Sequence, residues 1–156
     1  MFNIILGLHS ILRWVILILL LVNIIRHFLA LNQPFTGLDK KLGLWLMISA
    51  HLTLLIGIYL WFTGTWGYQL IENVGMGEVM KNDVYRFWVV EHLTGMLIAI
   101  ILITLGKGIA KKKLEDPVKH KRTLWYFLIA LIVILISVPW PFRVPGIGRA
   151  LLPGTH

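Results

Sequence analysis

Cysteine is absent from the 156 residues, which excludes disulfides, thiolate metal sites and covalent c-type haem attachment. Acidic side chains are scarce, 7 against 15 Lys and Arg. Charge of either sign is only 14% of the chain, against 58% hydrophobic residues and a mean hydropathy of +0.81. That balance excludes an ordinary soluble domain. There is no internal repeat and no low-complexity segment, so residues 1–156 read as a single integral membrane domain without a linker. No Lys or Arg precedes the first apolar run and no small-residue cleavage site follows it. The run therefore reads as a retained first span rather than a signal peptide.

What is present is four apolar segments near the roughly 20 residues that cross a bilayer. They predict helices over about 4–31, 42–63, 86–106 and 123–139. The expected fold is all-α, a four-transmembrane-helix antiparallel bundle with the lipid bilayer as its first partner. A net charge of +8 would suggest nucleic acid in a soluble chain, but its placement argues against that partner. Ten Lys and Arg residues sit in the first and third connections and four in the second connection and the tail, with Arg13 inside the first span. The positive-inside bias then puts the basic loops in the cytoplasm and both termini on the periplasmic side. Pro34 ends the first helix. The connection over 64–86 is long for a compact bundle and reads as a functional loop or lid.

Ionisable residues are costly in hydrocarbon and usually face a bundle interior for a reason. His9 and Arg13, four apart, share one face of the first helix. His51 lies in the second span, and Glu91-His92 opens the third. His9 is 17 residues above Arg26 and His92 is 15 before Lys107, so both lie about 22–26 Å above the inner boundary at 1.5 Å per residue. His51 is 10 beyond Lys41, nearer 15 Å. In an up-down-up-down bundle the first and third helices face each other diagonally. Two imidazoles at one level on such helices can hold a single iron from opposite sides, the geometry of a bis-histidine b-type haem. Gly95 and Ala99 would leave a flat slot beside His92, and Arg13 would hold a haem propionate or pair with Glu91. His51 is expected to face the interior, hydrogen-bonded or serving a quinol together with the 64–86 loop. His27 and His120 share the inner boundary and read as solvated interfacial histidines, a second exposed haem being the lesser alternative.

The His9-Ser10-x-x-Arg13-Trp14 opening, His51, Arg86-Phe87 leading into Glu91-His92, and the Pro139-Trp140-Pro141-Phe142-Arg143 ending resemble small bacterial four-helix membrane proteins described as cytochrome b-like. The resemblance covers nearly the whole chain. It implies one haem b, with His9 and His92 where that family's axial ligands stand, in a multi-pass protein of the bacterial inner membrane. The chain also resembles the four-helix cores of the cytochrome b561 group, which carry two histidine pairs and two haems. It departs from them because His51 has no partner at its depth on the fourth helix. The function these features imply is electron relay between the quinol pool and a respiratory or redox partner, a respiratory complex or a homodimer among the assemblies it would fit. Two other readings stand beside it. One is a non-haem Zn or Cu centre on His9, His51 and His92 with Glu91 as a base. The other is a cofactor-free accessory subunit of a respiratory complex.

Overall fold

The computed structural model describes residues 1–152, and their regular structure is entirely helical. Four helical stretches are long and apolar enough to cross a membrane. The first is α1 (Phe2–Leu29) and the second begins with α2 (Gly37–Thr63). Three short helices follow, α3 (Tyr68–Val74), α4 (Met76–Lys81) and α5 (Asp83–Arg86). A π-helical turn over Phe87–Glu91 joins α5 to α6 (His92–Gly108), so the third span is broken in register but continuous in direction. The fourth span is α7 (Asp116–Ser137). Helical spans are the expected solution in hydrocarbon, where every backbone N–H and C=O must be satisfied internally.

Packed neighbours run α1 to α2 to α6 to α7 and back to α1, which leaves α1 and α6 diagonal. Each span sends one large side chain into the centre: Leu20, Leu46, Ile103 and Phe127 are all fully buried. Ala50, Ala99 and Ala130 fill the positions between them. The outward faces of all four spans carry exposed Leu, Ile, Trp and Phe, as a lipid-facing surface requires. Without a hydrophobic force between helices in lipid, close approach through small residues is what holds them together. The α6–α7 pair shows this most clearly. A Cβ on Gly106 would come within 2.7 Å of the Phe127 ring, and one on Gly95 would collide with the Ser137 side chain.

The turn between α1 and α2 is pinned by Asp39. Its carboxylate accepts from the Thr36 backbone N–H at 2.7 Å and hydroxyl at 2.8 Å, and from Arg26 Nε at 2.8 Å. One buried anion thus begins α2 and ties it to α1. At the opposite end the 64–86 connection folds over itself. Leu70 and Val79 pack with Val89 and Trp61, and Asn82 caps α5 through the N–H groups of Val84 and Tyr85 at 3.0 and 3.1 Å.

The Pro139-Trp140-Pro141-Phe142-Arg143 segment has a definite task. The last carbonyls of a helix lack intrahelical donors. Here the Ile134 carbonyl takes the Val138 N–H and the Leu135 carbonyl takes the Trp140 indole N–H at 2.8 Å. The Ile136 carbonyl takes the Arg143 guanidinium, and the Ser137 carbonyl takes the imidazole of His92 at 2.8 Å. All four are satisfied. The tail then returns to α1, where the Leu151 carbonyl accepts from Arg13 at 2.7 Å and the Trp14 indole at 2.9 Å. The start of α1 and the last described residues therefore lie at the same end of the bundle, called the termini end below, and the lysine-rich connection over 107–122 lies at the other.

Candidate metal-ligand pairs at the two ends of the bundle

At the termini end, His9 on α1 and His92 on α6 meet across the bundle. Their ring centroids are 6.4 Å apart, with the planes at 72°. The π turn decides where His92 points. One extra residue in a turn rotates everything after it by about 100° relative to a continuous α-helix. The Val89 carbonyl, within the turn, accepts the Trp61 indole N–H at 3.1 Å, which ties the turn to α2. His92 Nδ1 faces a carbonyl, so Nδ1 carries the proton and Nε2 keeps its lone pair. An imidazole anchored through one nitrogen by a backbone carbonyl is how metal-ligating histidines are usually held.

His9 rests on α2. A Cβ on Gly57 would lie 3.2 Å from His9 Cε1, so that glycine is what lets the ring lie flat against the helix. The Thr53 main chain is close to the ring, but buried Nδ1 makes no hydrogen bond of normal geometry. One turn further along α1, Nε of Arg13 is likewise buried without a partner. The guanidinium lies beside Trp14 and Trp140, 5.5 and 6.0 Å from the centroids of rings that are themselves 6.2 Å apart.

Several expectations need correction here. Arg13 does not pair with Glu91: it donates to the Leu151 carbonyl, and among the described residues no carboxylate bridges it. Glu91 faces outward and pairs with Arg86 at 2.8 Å. No flat slot runs from Gly95 to Ala99: Ser137 packs directly on Gly95 and Ala99 lies in the core, while an open cavity of about 410 Å³ is lined by Phe87, Glu91, Gly95, Ser137 and Arg143 among others. This small-residue face is helix packing, and the residue that clears space for a histidine is Gly57. His51 does not face the interior. It is exposed on α2 with Nδ1 bonded to its own Met47 carbonyl at 2.8 Å, so His9, His51 and His92 do not assemble into one centre.

At the lysine-rich end the correction runs the other way. His27 and His120 are 1% and 0% exposed, so they are not solvated. Their Nδ1 atoms are 2.8 Å apart, one donating and the other accepting. Phe35 stacks on His27 at 5.7 Å and touches His120 at 4.9 Å. Phe127 closes the other side of His27 at 6.0 Å. Buried Asp39 completes a group whose ligand atoms all lie within 4.8 Å of one another. Their equal depth was legible from spacing. Their convergence depended on Phe35, which the turn after Pro34 folds back over both rings, and no periodicity signals that.

Comparison with protein-family models, curated proteins and solved structures finds no match to this chain. The likeness to cytochrome b-like proteins therefore rests on the motifs alone.

Proposed function

We propose that this membrane protein is an electron relay of the b-type cytochrome kind, with His9 and His92 as the two axial ligands of one haem iron. The observation that carries the reading is the 6.4 Å approach of two imidazoles from diagonal helices. A ligating nitrogen sits about 2 Å from its metal, so two imidazoles on opposite sides of one ion have centroids roughly 6 Å apart. The buried orphans His9 Nδ1 and Arg13 Nε, on successive turns of α1, support the same reading, since such atoms mark a missing partner. When bound, the haem would supply a one-electron redox couple. The chain's own residues do the rest. The Ser137 carbonyl orients His92, Gly57 seats His9, and Arg13 offers a guanidinium to an anionic group.

The test is the reduced-minus-oxidised spectrum of the purified full chain. A sharp low-spin band is expected, lost completely in His9→Ala and in His92→Ala and kept in His51→Ala. A parent protein without iron ends the haem reading. One observation favours a second reading, a cofactor-free subunit: His92 and Arg143 cap the end of α7 and would be needed there without any metal. In that case the parent is colourless and His92→Ala lowers stability alone.

Both termini are proposed to lie on the periplasmic side of a bacterial inner membrane, on the strength of the ten-to-four distribution of Lys and Arg. A Lys112→Cys variant should resist an impermeant thiol reagent in intact cells and react after lysis. Labelling in intact cells reverses the orientation.

A further inference from the structure

We infer that the lysine-rich end of the bundle holds a late first-row divalent metal ion, ligated by Nδ1 of His27, Nδ1 of His120 and the carboxylate of Asp39. The inference is independent of the haem reading, because it uses none of the same residues. Three helices meet at the site: α1 brings His27, α2 brings Asp39 and α7 brings His120. All three residues are at most 2% exposed. Two imidazole nitrogens and a carboxylate are a frequent donor set for zinc, and with open positions for ferrous iron.

The distances fit an ion rather than a macrocycle. Nitrogens 2.8 Å apart lie on the same side of any metal they share, whereas axial haem ligands oppose each other about 4 Å apart. Tetrahedral ligands at 2.0–2.1 Å stand roughly 3.3 Å from each other. Replacing the shared proton by an ion therefore needs the two rings to part by about half an ångström. No net proton has to leave: the ring that accepts at Nδ1 already carries its proton on Nε2, and the donating ring shifts to the same tautomer. His120 Nε2 already faces the Pro34 carbonyl at 3.5 Å, the kind of acceptor that supports a ligating histidine. Asp39 accepts twice from Arg26 and twice from Thr36, but three of these contacts fall on Oδ2; Oδ1 has Arg26 Nε as its one donor and keeps a lone pair that can turn to the metal.

A cavity of about 10 Å³ adjoins the site, lined by His27, Asp39, Gly43, Thr123 and Phe127 among others. That is room for one water, enough for a fourth ligand. The cations close to the site are Arg26, paired with Asp39, and Lys40 and Lys107, which line the same cavity. Lys119 lies over the outer ring, Phe35. They oppose a cation, so the neutral rings and the one carboxylate must carry the affinity.

The experiment is a Co²⁺ titration of the full chain in detergent, in a His9→Ala background that removes the other histidine pair. One ion per chain is expected, with the intense visible absorption of a four-coordinate site. His27→Gln and His120→Gln should each weaken binding by more than the roughly 10–100-fold that loss of a supporting residue costs. Asp39→Asn should weaken it by about 10-fold, the low end of that range. Uptake that persists in both Gln variants, or only the pale absorption of six-coordinate cobalt, overturns the site. Should a Gln variant fail to fold, X-ray absorption of the Zn²⁺-loaded His9→Ala protein decides, since it must count two imidazoles. Fewer than two overturns the proposal. The haem spectrum of the parent, recorded separately, reports on the other reading alone.

Discussion

The bundle carries a histidine pair at each end, and the two are built differently. At the termini end the helices are diagonal, the rings stand 6.4 Å apart, and each imidazole rests on something other than its partner, a carbonyl for His92 and a glycine face for His9. At the lysine-rich end the helices are neighbours and the rings are bonded directly through nitrogens 2.8 Å apart. The first arrangement sets the rings edge to face with no hydrogen bond between them. The second joins them by one and leaves only a water-sized cavity beside it. Diagonal helices are separated by the full width of the bundle, so paired side chains on them can face each other across an inserted group. Side chains on adjacent helices reach directly, and only an ion fits between. The contrast fits the two ligand chemistries proposed above, a haem at one end and an ion at the other.

The largest expected effect separates the two ends. His92→Leu should abolish the haem spectrum, and His120→Leu should leave it whole. Equal loss in both would show that the ends are coupled, or that the haem ligands were wrongly assigned. The next effect is on stability. Asp39→Asn removes the anion that pairs with Arg26 and accepts both Thr36 donors, and unpairing a buried ion pair costs several kcal/mol. Arg26 keeps 32% of its side chain exposed and can turn to water or headgroups, which places the expected loss near 3 kcal/mol, at the low end of that range. Denaturant unfolding in detergent measures it.

A smaller loss is expected from packing. Gly106→Ala puts a methyl against the Phe127 ring and Tyr126 Cβ, at 2.7 and 2.9 Å from where those atoms stand. Overpacking of this kind costs about 1–3 kcal/mol. Gly108, two residues on, has nothing within 4 Å of its added Cβ and serves as the control. Gly108→Ala should be neutral or slightly stabilising, since alanine is the better helix former.

Depth was legible in the sequence and direction was not. Counting residues from the basic boundary placed His9 level with His92 and His51 lower, and in the folded chain His9 packs on Gly57, six residues beyond His51 along α2. The four spans were equally plain, because a continuous apolar run of spanning length has few other solutions in lipid. The side of the helix each residue faces failed wherever a local irregularity intervened. The π turn over Phe87–Glu91 rotates Glu91 away from Arg13 and toward Arg86, and nothing in a run of Phe, Trp and Val announces that turn. Arg13 found a carbonyl on the tail instead, a contact 138 residues away in sequence. His51 sits in a run that is apolar on every side, so no amphipathic pattern could have said whether it points in or out. Gly95 was read as empty space because the sequence does not show that Ser137 arrives opposite it.

The smallest expected effect tests that last lesson at Glu91. Sequence position beside His92 made it a partner for Arg13 or a base at a metal. In the fold it is exposed and bound to Arg86, whose guanidinium also holds Asp83 at 2.7 Å and the Met80 carbonyl at 3.1 Å. Removing one carboxylate therefore leaves Arg86 with two other acceptors in a solvent-facing position, where ion pairs are heavily screened and contribute little. Glu91→Gln keeps the side chain's length and a carbonyl acceptor for Arg86. It should leave the unfolding midpoint within measurement scatter, and it should leave the haem spectrum and potential where they were. A shifted potential would mean that the charge of Glu91 is felt at His92, its neighbour in sequence, despite facing the other way. The termini end would then be an electrostatically tuned site and not merely a geometric one. An unchanged potential in Glu91→Gln, together with a shifted one in Arg13→Leu, would assign the tuning to the buried guanidinium on α1.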